Sequence, residues 1–170
     1  MTSERLTYQP LSAAVLDDFH ELVRDAHVRR YLMDGQVFPR EWSEERIRES
    51  TELFKRRGVG LWLAHARLTR EVVGFCGFLE FPTLHPEPQL VYAMFEPFTG
   101  KGYATEMARA AITEACGHPG FETIIAGVDH VNVASLRVLE KLGFRKLATH
   151  QGAFGDVLML ELESRSALSQ

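Results

Sequence analysis

Residues 89–116 constrain this chain more than any other stretch. Leu90, Val91, Tyr92, Ala93, Met94 and Phe95 form an apolar run, and Pro97 closes it. Next comes Phe98-Thr99-Gly100-Lys101-Gly102-Tyr103-Ala104-Thr105, after which Met107, Ala108, Ala111, Ile112 and Ala115 recur at helical spacing. A strand that passes through a glycine turn into an alanine-rich helix builds a place for an anion. The first-turn N–H groups have no intrahelical partner, and the macrodipole adds positive charge there. Gly100 and Gly102 let a phosphate reach the backbone with no Cβ in its way. Two familiar phosphate patterns do not fit. A nucleoside-triphosphate loop needs Gly-x4-Gly-Lys-Ser/Thr, and a dinucleotide fingerprint needs a third glycine where Thr105 stands. On the glycines alone, a tight turn without a ligand remains the competing reading.

The rest of the chain supplies elements around this unit. Residues 6–9 read as a short strand, and Ser12 as an N-cap before the stripe Val15, Leu16, Phe19, Leu22, Val23 and Ala26. His20 and His27, seven apart, fall near one face of that helix and read as partly exposed side chains rather than metal ligands. Residues 31–42 read as a loop broken by Gly35 and Pro39. Ser43 is the candidate cap of the next helix, which carries Glu44 and Glu45 early and Lys55, Arg56 and Arg57 late, with Gly58 beyond.

Residues 61–68 and 72–81 form an expected hairpin about Thr69-Arg70-Glu71, with Gly74 and Gly77 marking a bulge or a close backbone approach. A proline-rich loop precedes Gln89. The alanine-rich helix ends near Gly117, and residues 123–128 give a fifth strand. Asn132 caps a short helix that ends at Gly143-Phe144. Two last strands, residues 145–150 and 156–163, meet around Gly152-Ala153-Phe154-Gly155. The order β-α-α-β-β-β-α-β-α-β-β describes a mixed α/β, or α+β, sheet with helices on both faces.

At 170 residues the expectation is one domain, 1–170, able to bury about 70% of its unfolded surface. A net charge of −4 argues against direct nucleic-acid binding and suits a cationic amine as readily as it suits a solvated acidic surface. No apolar run is long enough for a membrane span. Residues 1–5 lead into Leu6 and Tyr8 without a signal pattern, and Cys76 and Cys116 read as buried thiols of a reducing compartment. A cytoplasmic location is expected.

Gly100-Lys101-Gly102-Tyr103-Ala104-Thr105-Glu106 is followed by Asn132-Val133-Ala134-Ser135-Leu136-Arg137-Val138-Leu139-Glu140-Lys141-Leu142-Gly143-Phe144. Together these motifs resemble the GNAT N-acetyltransferase superfamily, and within it the RimJ/RimL-like branch of ribosomal-protein N-acetyltransferases. The resemblance implies the GNAT fold, a mixed, mostly antiparallel sheet of about seven strands whose fourth and fifth strands splay around the pantetheine arm of acetyl-CoA. It implies transfer of an acetyl group from acetyl-CoA, without a metal, to a primary amine. That amine would be a protein N-terminus or a small molecule, and the protein would act as a monomer or homodimer.

The resemblance puts the pyrophosphate on Gly100, Lys101, Gly102, Tyr103, Ala104 and Thr105. It puts the thioester carbonyl along the backbone of Ala93, Met94 and Phe95, where donors would stabilise the developing oxyanion. Asn132 would touch the coenzyme as well as cap its helix. Ser135 would assist the leaving thiolate, or else simply occupy the helix start. Tyr31, Phe38, Trp42 and Gln89 would line the acceptor cleft. At Gln89 the family often carries an acid, and glutamine cannot accept a proton. Glu87 and His150 are the alternative bases, with His150 chosen here. Thr99 departs from the residues usual at its position. The rival reading is a non-catalytic acyl-CoA-binding or regulatory module of the same fold.

Overall fold

The computed structural model describes residues 1–32, 35–152 and 155–164. Strand β1 (Leu6–Pro10) leads through a 3-10 turn (Ala13–Val15) to helices α1 (Leu16–Arg24), α2 (Ala26–Leu32) and α3 (Arg40–Arg57). Strands β2 (Leu61–Ala66), β3 (Val72–Leu79) and β4 (Gln89–Met94) follow, then α4 (Tyr103–Ala115), β5 (Thr123–Asp129), α5 (Val133–Lys141), β6 (Arg145–Gly152) and β7 (Gly155–Glu163). The strands lie in the order β1-β2-β3-β4-β5-β7-β6. Every neighbouring pair is antiparallel except β4 and β5. The mixed, mostly antiparallel sheet is therefore as expected.

Strand parity sends side chains to two apolar layers. On one face Leu90, Met94, Ile124, Ala126 and Val128 meet Met107, Ala108, Ala111 and Ile112 of α4 and Leu139 of α5. On the other, Leu61, Leu63 and Phe75 meet Phe19, Leu22 and Val23 of α1, Val28 of α2 and Ile47 of α3. Removing such area from water, at about 25 cal/mol per Å², is the main force joining the layers.

Gly74 and Gly77 sit where two backbones nearly touch. A Cβ at Gly74 would strike the Ala93 carbonyl, and one at Gly77 the Gly60 carbonyl. The register between β2 and β3 shifts beside Gly74, leaving Val73 as the extra residue of a bulge. Helix ends also follow the sequence. Gly58, at φ +76°, closes α3 by donating to Phe54 O. Gly143, at φ +88°, closes α5 in a full Schellman arrangement, with Phe144 N–H on Leu139 O and Gly143 N–H on Glu140 O.

The first helices differ from expectation. Asp25 leaves helical geometry at ψ 136° and its carboxylate takes the N–H groups of His27 and Val28, so one expected helix is two. His20 and His27 consequently belong to different helices. Ser12 precedes the 3-10 turn and makes no side-chain cap bond. Pro39, not Ser43, stands at the N-cap of α3, where its missing N–H costs nothing. Ser43 is buried within that helix and hydrogen-bonds His20 Nδ1 at 2.9 Å. The expected 31–42 loop is thus shorter, with Tyr31 in α2 and Trp42 in α3. Cys76 is buried and Cys116 half-buried, and both are free thiols. The turn expected at Ala153-Phe154 lies outside the described residues.

Candidate active site

Strand β4 pairs with β3 along its whole length, from Gln89↔Leu79 to Met94↔Gly74, but touches β5 at one register position, Gln89↔Ile125. Beyond that apex the two strands diverge, while β5 stays fully paired with β7. The sheet therefore contains a fork. Phe95 N–H donates to Val73 O at 3.0 Å. Antiparallel alternation then turns the backbone groups of Val91 and Ala93 toward β3, and those of Tyr92 and Met94 toward the opening. Of the three backbone positions expected to meet a thioester carbonyl, Met94 is the one that faces the fork.

Side chains on β4 divide by the same rule. Val91, Ala93 and Phe95 pack with α1, α2 and α3. Tyr92 joins the α4–α5 layer and reaches across the fork, its phenol oxygen 2.7 Å from Ser135 Oγ and 3.3 Å from the Ser135 carbonyl. Burial pushes the Tyr92 phenol up to about 12, against a smaller lowering by the Ser135 bond. Ser135 sits in the first turn of α5, where its N–H is capped by Asn132 Oδ1 at 3.1 Å. The cap leaves the Asn132 amide NH2 for another partner.

At the glycine turn, Gly100 (φ +71°) and Gly102 (φ +83°) occupy the left-handed region that favours glycine. A Cβ on Gly100 would enter open space. The first intrahelical bond of α4 runs from Glu106 N–H to Gly102 O, and Gly102 makes no side-chain cap bond. The N–H groups of Tyr103, Ala104 and Thr105 thus have no partner among the described residues. Donors with this much free space around a Cβ-less turn fit a pyrophosphate. Lys101 is exposed and gives its ammonium to Pro97 O at 2.7 Å, while the Thr99 hydroxyl turns inward to Glu96 O at 2.8 Å.

Arg5 braces this turn from the far end of the chain. Its Nε meets Glu106 Oε2 at 2.7 Å, its Nη1 meets Lys101 O at 2.9 Å, and its guanidinium lies 4.2 Å from the Tyr103 ring centre. Ser3 Oγ and Arg5 N–H both donate to Glu106 Oε1, at 2.6 and 2.7 Å. Burial pushes the Glu106 carboxyl up, but these bonds outweigh it and hold it below its ordinary range. Neither Arg5 nor Tyr92 was among the residues expected from sequence. A phenol on an aliphatic strand face needs a hydrogen-bond partner, and that was a readable signal. Arg5 carried none, since its partners lie 96 and 101 residues away.

The expected acceptor residues divide. Phe38 and Trp42 stack at 4.8 Å and pack in the same layer as Ala93 and Phe95. Tyr31 is 37% exposed at the end of α2. A cavity of about 400 Å³ beside Phe95 is lined by Asp17, His20, Glu21 and Arg40. Gln89 does not line the open cleft. It is 2% exposed at the apex, where its Nε2 donates to Phe81 O and its Oε1 stands 3.0 Å from where a Gly127 Cβ would lie. Glu87 is held by Arg57 at 2.8 Å. His150 lies on β6, beyond β7 and so about 10 Å from β5 at ordinary strand spacing. The structure does not bring it to the fork.

A family model described as an acetyltransferase (GNAT) domain matches residues 5–145, most of the chain. The chain belongs to the GNAT acetyltransferase family. Among curated proteins, YkkB of Bacillus subtilis (strain 168), itself uncharacterised, is 36% identical over 87 residues, 51% of each chain. The chain spans about half the length of the curated relatives it matches. Among solved structures, a putative GnaT-family acetyltransferase from Bordetella pertussis superposes with a TM-score of 0.80 at 22% identity, covering 95% of this chain and 97% of that one. RimL, a ribosomal L7/L12 α-N-protein acetyltransferase in complex with coenzyme A, superposes at 0.78 with 20% identity and 95% coverage of both. The RimJ/RimL likeness read from two motifs therefore extends to the GNAT fold as a whole. Members of this GNAT family use acetyl-CoA. Among the described residues, no helix is long and apolar enough to cross a membrane.

Proposed function

We propose that this GNAT protein acetylates a primary α-amine, on a peptide N-terminus or an amino-acid-like small molecule, by direct transfer. The observation that carries the reading is the fork itself. It opens between the glycine turn and Ser135, carries on its inner edge the Met94 N–H, which has no partner among the described residues, and ends at a buried glutamine. Acetyl-CoA supplies an acyl group activated as a thioester. The N–H groups of Tyr103, Ala104 and Thr105 would hold its phosphates, with Lys101 able to swing from Pro97 O, and the Asn132 amide would hold the coenzyme across the fork. Met94 N–H would donate to the carbonyl oxygen as it becomes negative, usually the largest catalytic contribution. Ser135 would hydrogen-bond the departing sulfur. The acceptor would enter from the opposite face, past Phe38, Trp42 and Phe95.

Proton removal decides the acceptor class. Gln89 cannot take a proton, Glu87 is ion-paired away, and His150 stands two strands from β5. An α-amine, of pKa about 7.8, is neutral in about one molecule in seven at pH 7, and a lysine side chain of about 10.4 in about 0.04%. The gap of about 2.6 units is about 3.5 kcal/mol that a base would have to provide. With none of these three in place to take the proton, the apex of the fork favours α-amines. The test is acetyl-CoA-dependent thiol release with matched acceptors that differ only in α- or ε-amine. The expected result is a kcat/KM at least 10-fold higher for the α-amine, and a preference for the ε-amine overturns the reading. The buried Gln89 also favours a non-catalytic acyl-CoA-binding module, and acetyl-CoA binding with no thiol release from any amine would establish that instead.

A further inference from the structure

On the α4–α5 face of β4 the side chains are Leu90, Tyr92 and Met94, so Tyr92 is the polar one of three. Its hydroxyl spans the fork to a residue 43 positions away and meets both oxygens of Ser135. We propose that Tyr92 is a positioning residue that donates its phenol proton to Ser135 Oγ and thereby turns the serine's own proton toward the departing sulfur. This rests on the acetyl-transfer reading above.

The two hydroxyls own one proton each, and three oxygens can accept: Ser135 Oγ, the Ser135 carbonyl and the Tyr92 phenol. If the phenol donates to the carbonyl, the serine proton points back at the phenol and nothing is left for the fork. If the phenol donates to Oγ, the serine proton is free and points away from Tyr92. The Oγ contact is the shorter, 2.7 against 3.3 Å. Because burial raises the phenol, Tyr92 keeps its proton at working pH and stays a donor. Such a chain of two hydroxyls also polarises itself, strengthening the outer bond as charge grows on sulfur.

No side chain of α5 can do this for Ser135. The position one turn on, where a partner on the same face would sit, is Leu139, which is apolar and 1% exposed. A lone serine hydroxyl rotates among staggered wells, and only one of them serves the sulfur. The phenol from β4 selects that one, and it does so only because β4 and α5 flank the same opening.

The step balances without a consumed group. The amine lone pair forms the N–C bond, the C–S pair leaves on sulfur, the nitrogen loses a proton to solvent, and the sulfur gains one from solvent. Ser135 and Tyr92 end with the protons they began with, having supplied hydrogen bonds only.

The experiment compares wild type, Tyr92→Phe, Ser135→Ala and the double variant in two measurements. Tyr92→Phe keeps the ring and its packing and removes one oxygen. In turnover it should lower kcat about 10-fold, leave KM for acetyl-CoA within 2-fold, and add nothing to the loss caused by Ser135→Ala. In the second measurement coenzyme A is bound and its thiol titrated by thiolate absorbance. The bound thiol should titrate at higher pH in Tyr92→Phe than in wild type, and no higher in the double variant than in Ser135→Ala. Additive losses, or a Tyr92→Phe loss carried in KM, overturn the proposal. So does an unmoved thiol titration. If wild type binds coenzyme A yet no amine releases thiol, the acetyl-transfer reading fails, while the titration still decides whether Tyr92 orients Ser135 toward sulfur.

Discussion

Replacing Arg5 by alanine tests whether the N-terminal segment holds the phosphate turn in shape. The variant loses the bond to Glu106 Oε2 at 2.7 Å, where the Arg5 side chain is 40% exposed and the Glu106 side chain 13%. Discounted for that exposure, a charge-assisted bond of this kind contributes about 1 kcal/mol. The exposed bond to Lys101 O and the stacking on Tyr103 contribute about 0.5 kcal/mol each. The expected loss is therefore about 2 kcal/mol, or about 4–8 °C in Tm for a chain of this size. Arg5→Lys keeps the charge but not the fork of donors and should recover less than half of it.

The pH dependence gives a second, independent handle. Glu106 is held below its ordinary range by Ser3 and Arg5 against the opposing effect of burial. A depressed carboxyl contributes stability that is fully present above the unfolded-state pKa, about 4.3 for glutamate, and is lost as pH falls through the lower folded value. The gap in Tm between wild type and Arg5→Ala should then be widest near neutrality and shrink in acid. Thermal unfolding across a pH series measures both numbers, and calorimetry should find acetyl-CoA bound about 3- to 10-fold more weakly. An unchanged Tm at pH 7, or a gap that stays constant into acid, refutes the brace.

Three further outcomes are expected. Gly100→Asp should fold, since its Cβ enters open space and aspartate tolerates the left-handed region at a cost of about 1 kcal/mol, yet it should lose acetyl-CoA binding. Gly102 is the poorer test, because a Cβ there lies 3.5 Å from Arg5 Nη2, which would neutralise the new charge; unchanged affinity in Gly100→Asp removes the assigned phosphate site. Ser135→Ala should lower kcat about 10- to 100-fold with little change in coenzyme affinity, and a wild-type rate returns Ser135 to a purely helical role. Gly74→Ala should cost about 3 kcal/mol, read as a lower urea midpoint, because its Cβ would meet the Ala93 carbonyl and Met94 Cα in the middle of the sheet; an unmoved midpoint would mean that β4 can yield there.

What the sequence determined by itself is local. The glycine turn, the alanine-rich helix, the Asn132 cap, the Gly143 Schellman end and the β2–β3 hairpin each depend on residues within a few positions of one another. Propensity, periodicity and turn chemistry read such features directly, and two motifs together carried the family. The first helices depart from their sequence periodicity for a local reason too. The Asp25 carboxylate competes for helical N–H groups, so one stripe became α1 and α2, while Pro39 could open a helix as easily as break one.

Tertiary structure decided everything that depends on who lies next to whom. Period-two alternation marks a strand but not its neighbours, so the single β4–β5 pair that makes the fork had no signature in the chain. The same is true of Gln89, where the family resemblance implied an open cleft and packing made a sealed apex. Arg5 and Glu106 carry opposite charges 101 residues apart in the chain, and only the fold brings them together at 2.7 Å. Tyr92 and Ser135 are likewise ordinary residues of a strand and a helix. They become a hydroxyl pair because the sheet opens between them, and contacts across such a gap are set by loop closure and layer packing rather than by any local preference.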